Sequence, residues 1–345
     1  MAELPASPHL NTPAFTRRFV NLAQPRLGAS VVSASDEFFA ARGRLIDPAP
    51  PVFKPDLYDE HGKWMDGWES RRRREPGYDW CLVRLCPGTI RGIEIDTSFF
   101  TGNYPPEFSI DACQHYEGDP DPLDDTAWQP LVARTALQGD SQLHVEVNDE
   151  RVWTHLRFNI YPDGGVARLR VYGVAHRDWS AHDAESELDL ASILNGGRAL
   201  DCNDMHYGHM CNLILPDRSL NMGDGWETRR RRKPGHDWVI LRLGHPGRVV
   251  RAVVDTQWFK GNYPAECALY GALLTDLKDE EITPGLDAWA EILPRSKLGP
   301  DSVHEFQPLR EVGTISHVRL DIHPDGGVAR LRLFGFRDPK FEPTA

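Results

Sequence analysis

The stretch Asp66-Gly67-Trp68-Glu69-Ser70-Arg71-Arg72-Arg73-Arg74-Glu75-Pro76-Gly77-Tyr78-Asp79-Trp80 occurs a second time in the chain. The second copy reads Asp224-Gly225-Trp226-Glu227-Thr228-Arg229-Arg230-Arg231-Arg232-Lys233-Pro234-Gly235-His236-Asp237-Trp238. The repetition extends well beyond it. Asn21-Leu22-Ala23 recurs as Asp189-Leu190-Ala191, Asp96-Thr97 as Asp255-Thr256, and Gly102-Asn103-Tyr104-Pro105 as Gly261-Asn262-Tyr263-Pro264. Trp128 recurs as Trp289, and residues 162–170, reading PDGGVARLR, recur unchanged at 324–332. The offset falls from 168 at Asn21 to 158 at Asp66, so the first copy carries about ten extra residues in the Pro-rich stretch between Ala40 and Trp64. A period near 160 is far too long for a solenoid unit, so the chain is a duplicated domain. The expected division is an N-terminal arm 1–17, a first repeat 18–178, a polar linker 179–188, a second repeat 189–340 and a tail 341–345.

Within each repeat the short-range pattern is that of strands. Leu156, Phe158 and Ile160 alternate with His155, Arg157 and Asn159, and Val318, Leu320 and Ile322 alternate with His317, Arg319 and Asp321. A period of two predicts a strand with one apolar and one polar face. Pro162-Asp163-Gly164-Gly165 then reads as the turn of a hairpin that returns along 166–172. Residues 80–85 and 90–95 read as a second strand pair around Pro87-Gly88, and 183–194 as a short helix at the junction. Many short strands separated by Gly and Pro turns predict an all-β protein of two tandem β-sandwich domains.

Bulk properties exclude several functions. With 345 residues there is room for two cores, and 40% hydrophobic with 26% charged residues is a globular composition. A net charge of −12 opposes both nucleic acid and an anionic membrane as partner. No apolar run approaches the roughly 18 residues of a membrane span, and residues 1–11 do not read as a secretory signal. The 6 cysteines include no Cys-x-x-Cys pair, which fits reduced thiols in the cytoplasm better than a disulfide frame or a zinc site. Nucleophile elbow, phosphate loop, dinucleotide fingerprint and His-Glu-x-x-His are all missing from the sequence.

The chemistry concentrates in the duplicated stretch. Guanidinium forks hold carboxylates bidentately, so the Arg run reads as an anion site. In an extended chain Arg71 and Arg73 face one way, and Arg72 and Arg74 the other. One pair then serves a pocket and the other a salt bridge or subunit contact. We expect Arg71, Arg73, Arg229 and Arg231 at the substrate, against the alternative of a solvated basic strand. Asp66, Glu69, Asp224 and Glu227 stand beside that positive field as acid–base candidates, or else as its ion-pair partners. Asn103 and Asn262 are candidate binding residues where strands run into loops, or else turn caps. His155 and His317 are candidate proton carriers, or else hydrogen-bonded structural histidines. Asp201, Asp204, His206 and His209 have the composition of a metal cluster, but the first repeat has Ser33, Asp36, Phe38 and Ala41 there.

At the doubled Asp-Gly-Trp-Glu-[Ser/Thr]-Arg-Arg-Arg-Arg-x-Pro-Gly-x-Asp-Trp the sequence resembles the allantoicase family. Ser35-Asp36-Glu37-Phe38-Phe39-Ala40, the segment 96–105 and the two PDGGVARLR stretches support it, and the resemblance spans about residues 15–338. It implies two jelly-roll sandwiches of the galactose-binding or discoidin-like type. It also implies hydrolysis of allantoate to ureidoglycolate and urea in allantoin breakdown. No cofactor is implied, and the resemblance leaves a metal requirement open. Broad sheet faces suggest a homo-oligomer. The competing reading is a non-catalytic pair of carbohydrate- or small-ligand-binding modules, because fold alone does not fix function.

Overall fold

A computed structural model describes residues 12–180 and 183–341. The chain forms two compact units, Phe19–His176 and the residues from Arg177 onward, and the one-turn helix Ala14–Arg18 belongs to the latter. Each unit contains one repeat and has its own 8-stranded sheet system.

The first repeat runs β1 (Val20–Asn21), β2 (Ser30–Ala34), β3 (Tyr58–Asp59), β4 (Gly62–Lys63), β5 (Trp68–Glu69), β6 (Asp79–Asp96), β7 (Glu107–Cys113), β8 (Gln129–Ala136), β9 (Gln142–Glu146), β10 (Val152–Tyr161), β11 (Gly165–Val166) and β12 (Arg168–Ala175). The long strand β6 organises the whole. Its first half pairs with β2 and β10, and its second half with β12 and β9, all antiparallel. Beyond β10 the sheet continues through β7 to β8, and beyond β12 to β1. One strand thus belongs to both layers of a jelly-roll sandwich and changes layer near its middle, as corner strands of packed sheets do. The core lies between the layers, where Val83, Ile93, Ile95, Phe108, Leu156, Phe158 and Val171 are fully buried. Phe158 meets both Trp68 and Phe108 edge-on or tilted, at centroid distances of 6.2 and 6.1 Å. The second repeat reproduces this order, with Asp237–Asp255 as its shared strand.

Three expectations need correction. Residues 80–85 and 90–95 are one continuous strand, because the chain at Pro87-Gly88 bends from one layer to the other and does not reverse. Gly88 makes room for the close approach of Val174 O, 2.4 Å from where a Cβ would stand. Residues 154–161 and 165–172 are strands but do not form a hairpin. β10 pairs with β6 and β7, whereas Pro162–Gly165 carries the chain across to β11 and β12. The junction residues 183–194 form turns, the short strand Leu188–Asp189 and the start of the 3-10 turn Ile193–Asn195 rather than an α-helix, since Asp189 and Leu190 pair with the last long strand of the second repeat. The polar row of β10 is buried as well. His155, Arg157 and Asn159 are buried, because the segment between β7 and β8 folds over them. Arg157 donates to Asp111, to Asp125 and to Pro122 O, and Asn159 donates to Asp111 and Ser109. Each of these side chains is thereby hydrogen-bonded, and Asn159 Oδ1 alone among their buried polar atoms has no partner among the described residues.

Candidate active site

The duplicated stretch enters the fold as a two-residue strand. β5 pairs with β11, placing Glu69 opposite Gly165 and Trp68 opposite Val166. Successive side chains point to opposite faces. Trp68 goes into the core, where it is fully buried and donates its indole N–H to Asp36 O at 2.8 Å. Glu69 faces the other way. Gly165 is required here because a Cβ would stand 2.0 Å from the ring of Phe100. The same glycine donates its N–H to Asn103 O at 2.7 Å, which fixes the loop bearing Asn103 beside the strand.

The result is a carboxylate–amide pair. Asn103 Nδ2 donates to Glu69 Oε1 at 2.8 Å. In the second repeat Asn262 Nδ2 donates to Glu227 Oε1 at 2.5 Å, Gly327 N–H donates to Asn262 O, and Trp226 donates to Asp204 O. Glu69 is 8% exposed. Burial raises the pKa of both glutamates above the ordinary carboxylate range, and the amide hydrogen bond opposes part of that rise. A carboxyl group shifted toward its protonated form is better suited to give and take a proton than an exposed one.

Each pair opens into a cavity. The first, of about 450 Å³, is lined by Glu69 and Asn103 with Phe39, Phe53, Lys63 and Phe99, among others. The second, of about 490 Å³, contains Glu227 and Asn262 with Tyr207, Thr228, Arg230 and Asp325. Phe39 and Tyr207 occupy equivalent positions, so the same three places anchor both cavities. They differ in their cation. The ten-residue insertion brings Lys63 to the first, while the second has Arg230.

The four arginines divide as an extended segment should. Arg71 pairs with Asp36 and Arg73 with Asp79, and the same is true of Arg229 with Asp204 and Arg231 with Asp237. Their backbone N–H groups also donate to carboxylates, Arg71 to Asp36 and Arg73 to Asp163, with Asp204 and Asp325 in the second copy. Arg72 and Arg230 are exposed and have no ion-pair or hydrogen-bond partner among the described residues. The pair expected at the substrate is therefore the pair engaged by acids. The alternate pair is left for an anion, and Arg230 lies in the cavity with Glu227.

The other candidates lie elsewhere. Asp66 accepts from the buried Arg168 at 2.8 Å, and Asp224 from Arg330 at 2.8 Å. His155 sits mid-strand, six residues before the end of β10 and so roughly 20 Å of strand away from it. Its Nε2 is 3.1 Å from Asp119 and its Nδ1 2.9 Å from Thr154 Oγ1. His317 is buried against Ser316. The structure thus brings Glu69 and Asn103 together, and Glu227 and Asn262, but does not bring the histidines to them. Asp204 belongs to Arg229, and His209 caps the following turn by accepting from Cys211 N–H. Among the described residues no three His, Cys, Asp or Glu side chains converge as metal ligands. The cavity residues Phe53, Lys63 and Phe99 escaped sequence reasoning. The available signal was an aromatic residue at position 99 matched by Trp258 in the second copy.

Fold and site together define a duplicated β-sandwich protein with one hydrogen-bonded Glu–Asn pair in each repeat. The sequence profile of the allantoicase repeat matches residues 20–176 and 188–338. A probable allantoicase of Pseudomonas syringae pv. syringae is 52% identical over 320 residues, covering 92% of this chain and 96% of the relative. One from Photobacterium profundum is 52% identical over 322 residues, covering 93% and 97%. The crystal structure of allantoicase from Saccharomyces cerevisiae superposes with a TM-score of 0.76 at 36% identity, covering 93% and 94% of the two chains. The chain belongs to the allantoicase family.

Proposed function

We propose that the protein is an allantoicase, which hydrolyses allantoate to ureidoglycolate and urea in the breakdown of allantoin for nitrogen. Family membership and relatives of the same name support this reading. The observation that carries the chemistry is the hydrogen-bonded glutamate–asparagine pair, present at the same place in both repeats.

Allantoate has one central carbon bearing a carboxylate, a hydrogen and two ureido groups. Hydrolysis breaks one C–N bond, adds a water oxygen to the carbon and returns a proton to the departing nitrogen. A single carboxyl group can serve both proton transfers. Protonated Glu69 or Glu227 gives its proton to the leaving urea nitrogen, and the resulting carboxylate accepts one from the incoming water. Asn103 or Asn262 holds the carboxyl through its Nδ2, leaving the amide oxygen for a ureido N–H. The substrate carboxylate goes to the cation of each cavity, the unpaired Arg230 in the second repeat and Lys63, whose ammonium also donates to Pro55 O, in the first. Asp66, Asp224, Arg71, Arg73, Arg229 and Arg231 then act by building the stretch, and His155 and His317 by supporting their strands.

Purified protein incubated with allantoate should release urea and ureidoglycolate in equal amounts. Binding without release would return the protein to the class of non-catalytic ligand-binding modules. The expected compartment is the cytoplasm, supported by six cysteines that are all unpaired. A homo-oligomer is supported by large apolar side chains left exposed, among them Tyr116, Leu123 and Leu220. Sedimentation measures that state directly.

A further inference from the structure

Phe99 and Trp258 occupy the same position in the two repeats, and both hold a left-handed backbone, with φ of 71° and 73°. For a bulky side chain that region is a steric outlier. In each repeat the strained residue donates its N–H to an aspartate, Asp140 at 2.8 Å and Asp301 at 2.7 Å. Both aspartates are themselves left-handed, at φ 48° and 47°. Filling the core does not explain the aromatic side chains. Phe99 is 37% and Trp258 41% exposed, while the next residue in each copy, Phe100 or Phe259, is the buried one. Strain of this kind persists where the surroundings over-determine it, and it gathers at ligand clamps.

What each ring meets differs between the repeats. Trp258 donates its indole N–H to Ser219 O at 3.0 Å and is not among the residues lining the second cavity. Phe99 lies nearly parallel to Phe53, at a centroid distance of 5.6 Å and an interplanar angle of 22°. Both rings line the first cavity with Glu69 and Asn103. The Lys63 ammonium sits 5.0 Å from the centroids of Phe53 and Tyr58, adding a cation to the same wall. A flat aromatic wall beside a carboxyl–amide pair suits a ligand group that is planar, with polar edges and two bare faces. A ureido group has that shape.

We propose that Phe99 is a specificity-determining residue of the first-repeat cavity, a stacking platform for a planar ureido group whose polar edge meets Glu69 and Asn103. The inference rests on the allantoate reading. The left-handed backbone leaves the ring half-exposed in both repeats, and in the first repeat Phe53 completes the wall that it joins.

The test is steady-state urea release from allantoate, with thermal melting, for the full chain and its Phe99→Tyr, Phe99→Leu, Phe99→Gly and Trp258→Leu variants. Phe99→Tyr keeps the aromatic face and should stay within about twofold of wild type in KM. Phe99→Leu keeps bulk but loses the face, and should raise KM about threefold to tenfold with kcat nearly unchanged. Phe99→Gly should raise KM further without lowering the melting temperature, because glycine adopts positive φ freely. Trp258→Leu should leave KM at the wild-type value. The Leu–Tyr contrast decides the assignment whatever the glycine variant does to stability. Equal KM values for Phe99→Leu and Phe99→Tyr would overturn it, as would a Trp258→Leu variant impaired as much as Phe99→Leu. An inactive wild type overturns the allantoate reading and this inference with it, whereas an active wild type with an unaffected Phe99→Leu variant overturns this inference alone.

Discussion

Arg168 Nη2 donates to Asp66 Oδ2 at 2.8 Å, and Arg330 does the same for Asp224 in the second repeat at the same distance. Arg168 is 1% exposed and also donates to the carbonyls of Ala49, Asp66 and Ala167. The pair ties the two most repeated segments of the sequence to each other. Removing the acid leaves a buried guanidinium without its counter-charge. Asp66→Ala should therefore destabilise the first repeat by about 3 kcal/mol. Chemical denaturation measures the loss, and an unaltered midpoint would show that the backbone carbonyls alone satisfy Arg168.

Glu69 and Glu227 are expected to carry the proton transfers. The double variant Glu69→Gln, Glu227→Gln should lose about 100-fold or more in kcat, the usual contribution of a positioned acid–base group. The single variants measure each repeat's share of turnover. Full activity in the double variant excludes the Glu–Asn pair from the chemistry.

The same carboxyl sets a pH dependence. Burial raises the folded-state pKa of Glu69, so folding favours its protonated form. The stabilising contribution is complete below the unfolded-state pKa and is lost as pH rises through the folded one. Glu69→Gln removes that loss. It should melt higher than wild type at neutral pH, and the difference should close as pH falls through the ordinary carboxylate range. A melting difference independent of pH contradicts this account.

The alternation of the Arg run predicts unequal effects of neighbouring substitutions. Arg230→Ala should raise KM for allantoate by about tenfold to 100-fold, the loss of one charge-assisted hydrogen bond. Arg229→Ala removes an exposed pair with Asp204 and should change stability by no more than about 1 kcal/mol. KM values ranked the other way would return the anion site to Arg229.

His317 gives the second repeat an acid-sensitive point. Burial, with Arg242 adding repulsion, lowers its pKa to about 4. Its folded-state pKa lies below the unfolded one, so the stability it permits is present above the unfolded pKa and is lost as pH falls toward the folded one. Between neutrality and about pH 5, wild type should lose roughly 2 kcal/mol more unfolding free energy than a His317→Gln variant. Parallel acid titrations of the two proteins would contradict the assignment.

Much of the candidate site was legible in the sequence, and the reason is the duplication. Glu69, Asn103, Glu227 and Asn262 stood out because each recurs beside the same neighbours. Their pairing did not, since Glu69 and Asn103 lie 34 residues apart and meet through the strand β11. The choice between Arg71 and Arg72 was out of reach for a similar reason. Alternation divides four arginines into two pairs, but only the positions of Asp36, Asp79, Asp204 and Asp237 show which pair is engaged. The strained backbone of Phe99 leaves no mark in composition or periodicity.

By itself the sequence determined that the protein is a doubled all-β chain, because alternation and repetition are local properties that survive without contacts. It also determined where the charge lies. The tertiary structure alone decided which strands are neighbours, since Asp79–Asp96 could be read as two strands until its halves were seen in different layers. It likewise decided which guanidinium groups stay free and which glutamates lose their water, because both depend on residues that meet only when the sheets close over one another.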